Sequence, residues 1–458
     1  MSRAPTLRRW APAVLGLTLA TTTPAAAQQQ GAVEIPIETY KLGNGLRVIL
    51  SPDRTTPVVA VDVWYDVGSR NERPGRSGFA HLFEHMMFQG SQNVAKGEHM
   101  TLIERAGGSM NGSTTEDRTN YFQTLPSNRL NLGLWLEADR MRSLAITEEN
   151  FTNQREVVKE ERRLRIDNSP YGTSFLAASY DAPYNAEGCF AYAHSVIGSM
   201  DDLNAAHLSD VQQFFDTYYA PNNATLTVVG DFDSAEAKQL IEQYFGQIPS
   251  GPAPPPVTCE NPFSKLPLRE VIEDQNANLP ALLLSYGTPA TGSADDYALT
   301  LLASVLGQGE SSRLNQRLVK EAQAALQVQS FFDERRGPGL FMVFAIANQG
   351  VGVDRLETLI EEEIAKVRDR GITAEELEKA KMQYRAQTVR GLQTVLGRAE
   401  RLQYFAHWQG DPAAIRTDLE RYAAVTAADV QRVAREYLVP KNRATVITQP
   451  AAAAKESR

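Results

Sequence analysis

The sequence predicts an α+β protein built from two homologous α/β sandwich-like domains of about 220 residues each. Three observations carry that reading. First, matching residues recur at one offset: Gly68 and Gly287, Gln89-Gly90 and Gln308-Gly309, Asp210-Val211-Gln212 and Asp429-Val430-Gln431, Tyr218 and Tyr437, Pro221 and Pro440, Asn223 and Asn442 are each 219 residues apart. Second, each copy runs from an apolar strand through a Gly turn to a helix, and closes on a helix ending in Tyr-x-x-Pro followed by a strand. Third, Ile248-Pro249-Ser250-Gly251-Pro252-Ala253-Pro254-Pro255-Pro256 separates the copies, and such a Pro-rich run is a semi-rigid spacer. Two half-shells on a tether enclose a cavity, so a clamshell is expected.

Along the chain, residues 1–27 read as a secretory signal peptide. Arg3, Arg8 and Arg9 precede the apolar run Trp10 to Ala20, and Ala25-Ala26-Ala27 is a small-residue cleavage signal. The run falls short of the roughly 20 residues that span a bilayer. A periplasmic or secreted bacterial protein without a membrane span is therefore expected, by either the general or the twin-arginine export route. Residues 32–248 form the expected first domain, 249–264 the linker, 265–450 the second domain and 451–458 a flexible tail. Thr147 and Thr373 precede acidic helical starts, as N-caps do, and Glu376 completes a capping box with Thr373. In an oxidising compartment Cys189 and Cys259 can pair if the fold brings them together.

Composition narrows the function. Hydrophobic residues make up 42% and charged residues 22% of the 458, as in an ordinary globular protein. The net charge is −9, and −12 without the three arginines of residues 1–27, so nothing general attracts nucleic acid or anionic lipid. Two cysteines exclude a disulfide-dense scaffold and a Cys-only metal site.

The chemistry sits in the first copy. Gly78-Phe79-Ala80-His81-Leu82-Phe83-Glu84-His85-Met86-Met87-Phe88 contains His-x-x-Glu-His. On a helix His81 and His85 share one face a turn apart, within reach of one cation, and Glu84 projects close to that face. With six histidines in the chain, chance produces this pattern in about one such sequence in a hundred. Two histidines and a glutamate on an otherwise apolar helix need partners to offset desolvation, and a zinc ion supplies one. A catalytic zinc takes three protein ligands, so a third is sought elsewhere. In the charged helix Asn153 to Arg163, Glu156, Glu160 and Glu161 compete.

His81-x-x-Glu84-His85, with the acidic helix Arg155 to Glu161, resembles the pitrilysin/insulinase/mitochondrial-processing-peptidase family of inverted zincins, over nearly the whole chain after residue 27. The resemblance implies a processing-peptidase-like metallohydrolase fold and a zinc endopeptidase acting on peptides or unfolded polypeptides, with one Zn²⁺ per chain. It implies Glu161, 76 positions beyond His85, as third ligand and Glu84 as the residue that activates water. Where many members carry a Glu seven residues before that ligand, this chain has Gln154, a second-sphere amide. Gly107-Gly108-Ser109-Met110-Asn111-Gly112-Ser113-Thr114 resembles the family's substrate-binding edge strand, which implies peptide contacts at Gly108, Ser109, Met110, Asn111 and Thr114. Gly112 stands where Ala is usual.

At the 219 offset His81, Glu84 and His85 map onto Thr300, Ala303 and Ser304, so the second copy lacks metal ligands and is expected to serve as lid and substrate wall. Single-chain members carry an Arg and a Tyr, seven apart, near the scissile bond; the matching positions here hold Val319 and Leu326, with Arg317 and Lys320 the nearest cations. That implies a partner, either a homologous non-zinc subunit supplying the Arg/Tyr pair or a second copy of this chain. A catalytically idle assembly or binding subunit is the rival, and a cytoplasmic maturation peptidase conflicts with the export signal. His194 is read as a residue that can line the cavity. His99, His207 and His407, without ligand partners at usable spacing, are read as surface or capping residues.

Overall fold

The computed structural model describes residues 35–451; the signal-peptide reading of residues 1–27 and the tail beyond Ala451 lie outside the described residues. Eleven strands among them form two sheets. The first holds β1 (Glu38–Lys41), β2 (Arg47–Pro52), β3 (Val58–Tyr65), β4 (Ser109–Thr114), β5 (Thr119–Pro126) and β6 (Ala224–Gly230) in the order β1-β2-β6-β3-β5-β4. The second holds β7 (Leu268–Asp274), β8 (Ala281–Ala290), β9 (Ala325–Asp333), β10 (Pro338–Ala347) and β11 (Arg443–Pro450) in the order β7-β11-β8-β10-β9. Apart from β1 the two orders are the same, strand for strand, and each sheet has one parallel pair, β2 with β6 and β7 with β11, the latter of each pair closing its copy. The duplication in the sequence is thus a duplication of topology.

The first copy carries helices α1 (Phe79–Met86), α2 (Glu98–Arg105), α3 (Leu130–Ser143), α4 (Glu148–Arg162), α5 (Gly172–Leu176), α6 (Met200–Asn204), α7 (Leu208–Tyr218) and α8 (Ser234–Phe245). The second carries α9 (Asp296–Gly307), α10 (Val353–Arg370), α11 (Ala374–Gly391), α12 (Val395–Trp408), α13 (Asp418–Ala424) and α14 (Ala427–Tyr437). Thr147 and Thr373 accept from the backbone N–H of Asn150 and Glu376, as N-caps.

Strands alternate their side chains between two buried faces, which is why β3 is buried along seven of its eight residues. Val48, Leu50, Val61 and Val63 face the helices of their own copy, among them Leu82, Phe83 and Met86 of α1. Ile49, Ala60 and Val229 face the other way, onto Ala399, Leu402 and Phe405 of α12, which belongs to the second copy. The exchange is reciprocal. Leu283, Met342, Phe344 and Val446 of the second sheet pack on Ala177, Ala178, Ala182, Tyr184 and Tyr192 of the first copy. Each sheet is therefore covered on its outer face by a segment of the other copy, and the two halves interlock instead of hanging on the linker.

Residues 249–258 run along the surface without regular structure. They end at Cys259, which forms a disulfide with the fully buried Cys189. No helix of the described residues is long and apolar enough to cross a membrane.

Candidate active site

Helix α1 leaves Gly78, whose φ of 86° is a left-handed turn that glycine adopts without strain. Its free N-terminal amides are met by the Glu72 carboxylate, which accepts from Gly78 N–H at 2.8 Å and Ala80 N–H at 2.7 Å. Phe79, Ala80, Leu82, Phe83 and Met86 are buried against the sheet and α7. That packing fixes the rotation of the helix and turns His81, Glu84 and His85 to its other, half-buried face.

Helix α4 lies against α1. Glu156 and Glu160 are spent on Lys159 and Arg163 at its exposed surface. Glu161 turns inward: its Oε2 lies 3.2 Å from His85 Nε2 and 3.7 Å from His81 Nε2. One ligand atom from each of His81, His85 and Glu161 lies within 4.8 Å of the other two. Burial, with the charges of His85 and Arg165, pushes the His81 ring down to about 3, so it presents a neutral imidazole, and its buried Nδ1 has no protein partner. Gln154 Oε1 lies 3.3 Å from His85 Nδ1, an acceptor that favours the proton there and leaves Nε2 bare. Two imidazoles and one carboxylate on a water-accessible cleft are the donor set that fits zinc in an open, three-ligand site.

Glu84 stands outside this trio. Burial raises its pKa above the ordinary carboxylate value, against the opposing hydrogen bond from Thr114 Oγ1 at 2.5 Å. Beyond Arg162 the chain widens into a π-helical turn, Arg163–Asp167, and Arg165 folds back to pair with Glu161 Oε1 at 2.8 Å.

These groups open on a cavity of about 650 Å³. Asn111 to Thr114 of the edge strand β4 form one wall, while Gly108, Ser109 and Met110 lie earlier on the same edge, outside the cavity. A Cβ on Gly112 would sit 3.2 Å from Phe88 Cζ, so glycine there gives that ring room in the cleft. Phe88, Gln89, Met100, Arg165, Ile166, Val196 and Ile197 also line it, and none of them is among the site residues expected from the sequence. Arg165, one turn beyond Glu161, and Phe88, one turn beyond Glu84, were the two that helical spacing could have marked.

The histidine expectations need correction. His194 does not line the cavity: it is 8% exposed, stacked on Phe190, with Nε2 3.0 Å from Glu72. His99 and His407 are buried, not surface residues. They lie on the inner faces of α2 and α12, His99 beside Ile103 and His407 against Trp64. His207 does take a capping position, at the start of α7. Arg317 and Lys320 are held by Glu362 and Glu310.

In the second copy Thr300 and Ser304 stand at the 219 offset from His81 and His85, and Gln387 lies as far beyond the Thr373 N-cap of α11 as Glu161 lies beyond the Thr147 N-cap of α4. Thr300, Ser304 and Gln387 all line a cavity of about 390 Å³ whose walls contain no histidine, cysteine or carboxylate.

Comparison with known proteins follows this division. The family described as insulinase, peptidase family M16, matches residues 47–170, and the family described as the peptidase M16 inactive domain matches residues 206–384. The zinc protease PqqE of Helicobacter pylori is 32% identical over 421 residues, covering 90% of this chain and 93% of that one. A crystal structure of a protease from Helicobacter pylori superposes with a TM-score of 0.86 at 32% identity, over 91% of this chain and all of that one. The periplasmic protease PqqL of Escherichia coli shares the fold, with a TM-score of 0.71 at 19% identity, and 92% of this chain covers 48% of it.

Proposed function

The chain belongs to the insulinase family of peptidases, family M16, and on that premise we propose that it is a zinc-dependent endopeptidase in which Glu84 handles the proton. The observation that carries the reading is the convergence of His81, His85 and Glu161 beside Glu84 on one cleft. His81 Nε2, His85 Nε2 and Glu161 Oε2 would hold the metal, and Gln154 would steady the His85 ring. When bound, zinc polarises a peptide carbonyl and makes water more acidic.

The chain's own residues do the rest. The outer edge of β4 has no strand beside it, and an extended peptide adds there as a further strand, with Asn111 to Thr114 nearest the metal ligands. Glu84 takes the proton of the attacking water as the carbon–oxygen bond forms. It returns that proton to the amine nitrogen as the carbon–nitrogen bond breaks. Its raised pKa suits both halves of the task, because a base is most effective when its pKa approaches the working pH.

Export to the periplasm or medium is part of this reading. The Cys189–Cys259 disulfide supports it, since such bonds persist in oxidising compartments. So is a partner: with Val319 and Leu326 at the positions of the Arg/Tyr pair, a homologous subunit or a second copy would supply those side chains. The test is hydrolysis of a quenched peptide mixture by the purified zinc-loaded chain, alone and with its Glu84→Gln variant. Cleavage by the chain, lost in the variant with zinc retained, is expected. Zinc binding without cleavage by the chain, even beside a homologous subunit, would point to an idle binding subunit.

A further inference from the structure

We propose that Thr114 is a positioning residue for Glu84, and that the second copy holds it in place; the proposal rests on the reading of Glu84 as the base. Among the described residues, the Thr114 hydroxyl is the hydrogen-bond donor that reaches the Glu84 carboxylate, at 2.5 Å from Oε2. With Oε2 tied, the carboxylate cannot spin freely, and Oε1 remains for the proton transferred in the reaction. Thr114 is itself stiff. It is β-branched, it is the last residue of β4, and it is paired with Thr119 on β5.

What fixes its backbone is the turn that follows, residues 115–118. From the first copy, Ser69 and Arg70 donate backbone N–H groups to the carbonyls of Thr115 and Glu116. The approach is so close that Gly68 has no room for a Cβ. From the second copy, Arg336 N–H donates to Asp117 Oδ2 at 2.8 Å, His407 Nε2 lies 3.2 Å from the Asp117 carbonyl, and the fully buried Arg335 lies 3.6 Å from Glu116. Tyr192 and Tyr180 hydroxyls complete the grip on Asp117 and Glu116 at 2.7 and 2.8 Å. A half that carries no metal ligands thereby sets the aim of the base in the other. The hydroxyl of Thr114 is spent on this task, so the residue offers a substrate its backbone and not its side chain.

The experiment compares Thr114→Val, which keeps the shape and removes the donor, with Thr114→Ser, which keeps the donor, on the zinc-loaded full chain. Expected for Thr114→Val is a kcat lowered by about 10- to 100-fold with KM and zinc content unchanged, because a misaimed group acts only on the chemical step. Thr114→Ser should keep most of the turnover. Undiminished kcat in Thr114→Val, or an equal loss in Thr114→Ser, overturns the proposal. If the unaltered chain cleaves no peptide even beside a homologous subunit, the base reading fails on its own account. Crystal structures of the unaltered chain and Thr114→Val then decide the positioning: a rotated Glu84 carboxylate supports it, and an unmoved one overturns it.

Discussion

Asp117 Oδ2 accepts the backbone N–H of Arg336 across 219 residues, the repeat length itself. Asp117 lies in the turn between β4 and β5, and Arg336 in the turn between their counterparts β9 and β10. The neighbouring pair, Glu116 and Arg335, repeats the relationship at 3.6 Å. The two turns thus meet, Glu116 and Asp117 of the first copy against Arg335 and Arg336 of the second. Identical side chains there would bring like charges together in a buried place, whereas opposite ones attract.

Arg335 is 1% exposed and is shared between Asp333 and Glu116. Removing it leaves the half-buried carboxylates of Glu116 and Asp333 without their shared cation. Arg335→Ala is expected to lower stability by about 3–5 kcal/mol, the range for breaking a buried pair from one side. Urea denaturation followed by fluorescence measures it, and a loss within experimental error would mean that water reaches the turn.

His194 predicts a pH dependence. Burial lowers its pKa, but the hydrogen bond and charge of Glu72, with the carbonyls of Phe190 and Ser69, outweigh it and hold the ring above its ordinary value of 6.5. The folded state therefore binds this proton more tightly than the unfolded chain. That contribution to stability is complete below pH 6.5 and is lost as pH rises through the folded value. Glu72, raised by burial, acts with the same sign. Thermal unfolding from pH 6 to pH 9 should show Tm falling more for the natural chain than for His194→Gln; parallel curves would contradict it.

Gln154 touches His85 without being a candidate ligand. Gln154→Ala should weaken zinc binding by about 10- to 100-fold, the usual effect of losing such a support. Gln154→Glu, restoring the carboxylate common in the family, should tighten it. Competition with a chelator of known affinity reads both, and unchanged affinity in the alanine variant would remove Gln154 from the site.

The topology was legible because duplication leaves the same punctuation twice, and turn and cap residues such as Thr373 and Asn442 sit where local geometry demands them. Spacing along α1 placed His81, Glu84 and His85 on one face for the same reason. What stayed hidden depends on contacts between distant segments. A 3.6-residue period marks α12 as apolar on one face but cannot say that this face covers the other copy's sheet. Lone histidines such as His99 and His194 carry no periodic signal, so their burial depends on tertiary packing. The turn at 115–118 carries no local signal of its role, because partners such as Arg336 lie two hundred residues away.

The central claim is a single zinc ion held by His81, His85 and Glu161. Anomalous diffraction at the zinc edge, from crystals of the full chain grown with zinc in excess, tests it most directly. One strong peak bridging His81 Nε2, His85 Nε2 and Glu161 is predicted; density free of any peak in that cleft would contradict the account.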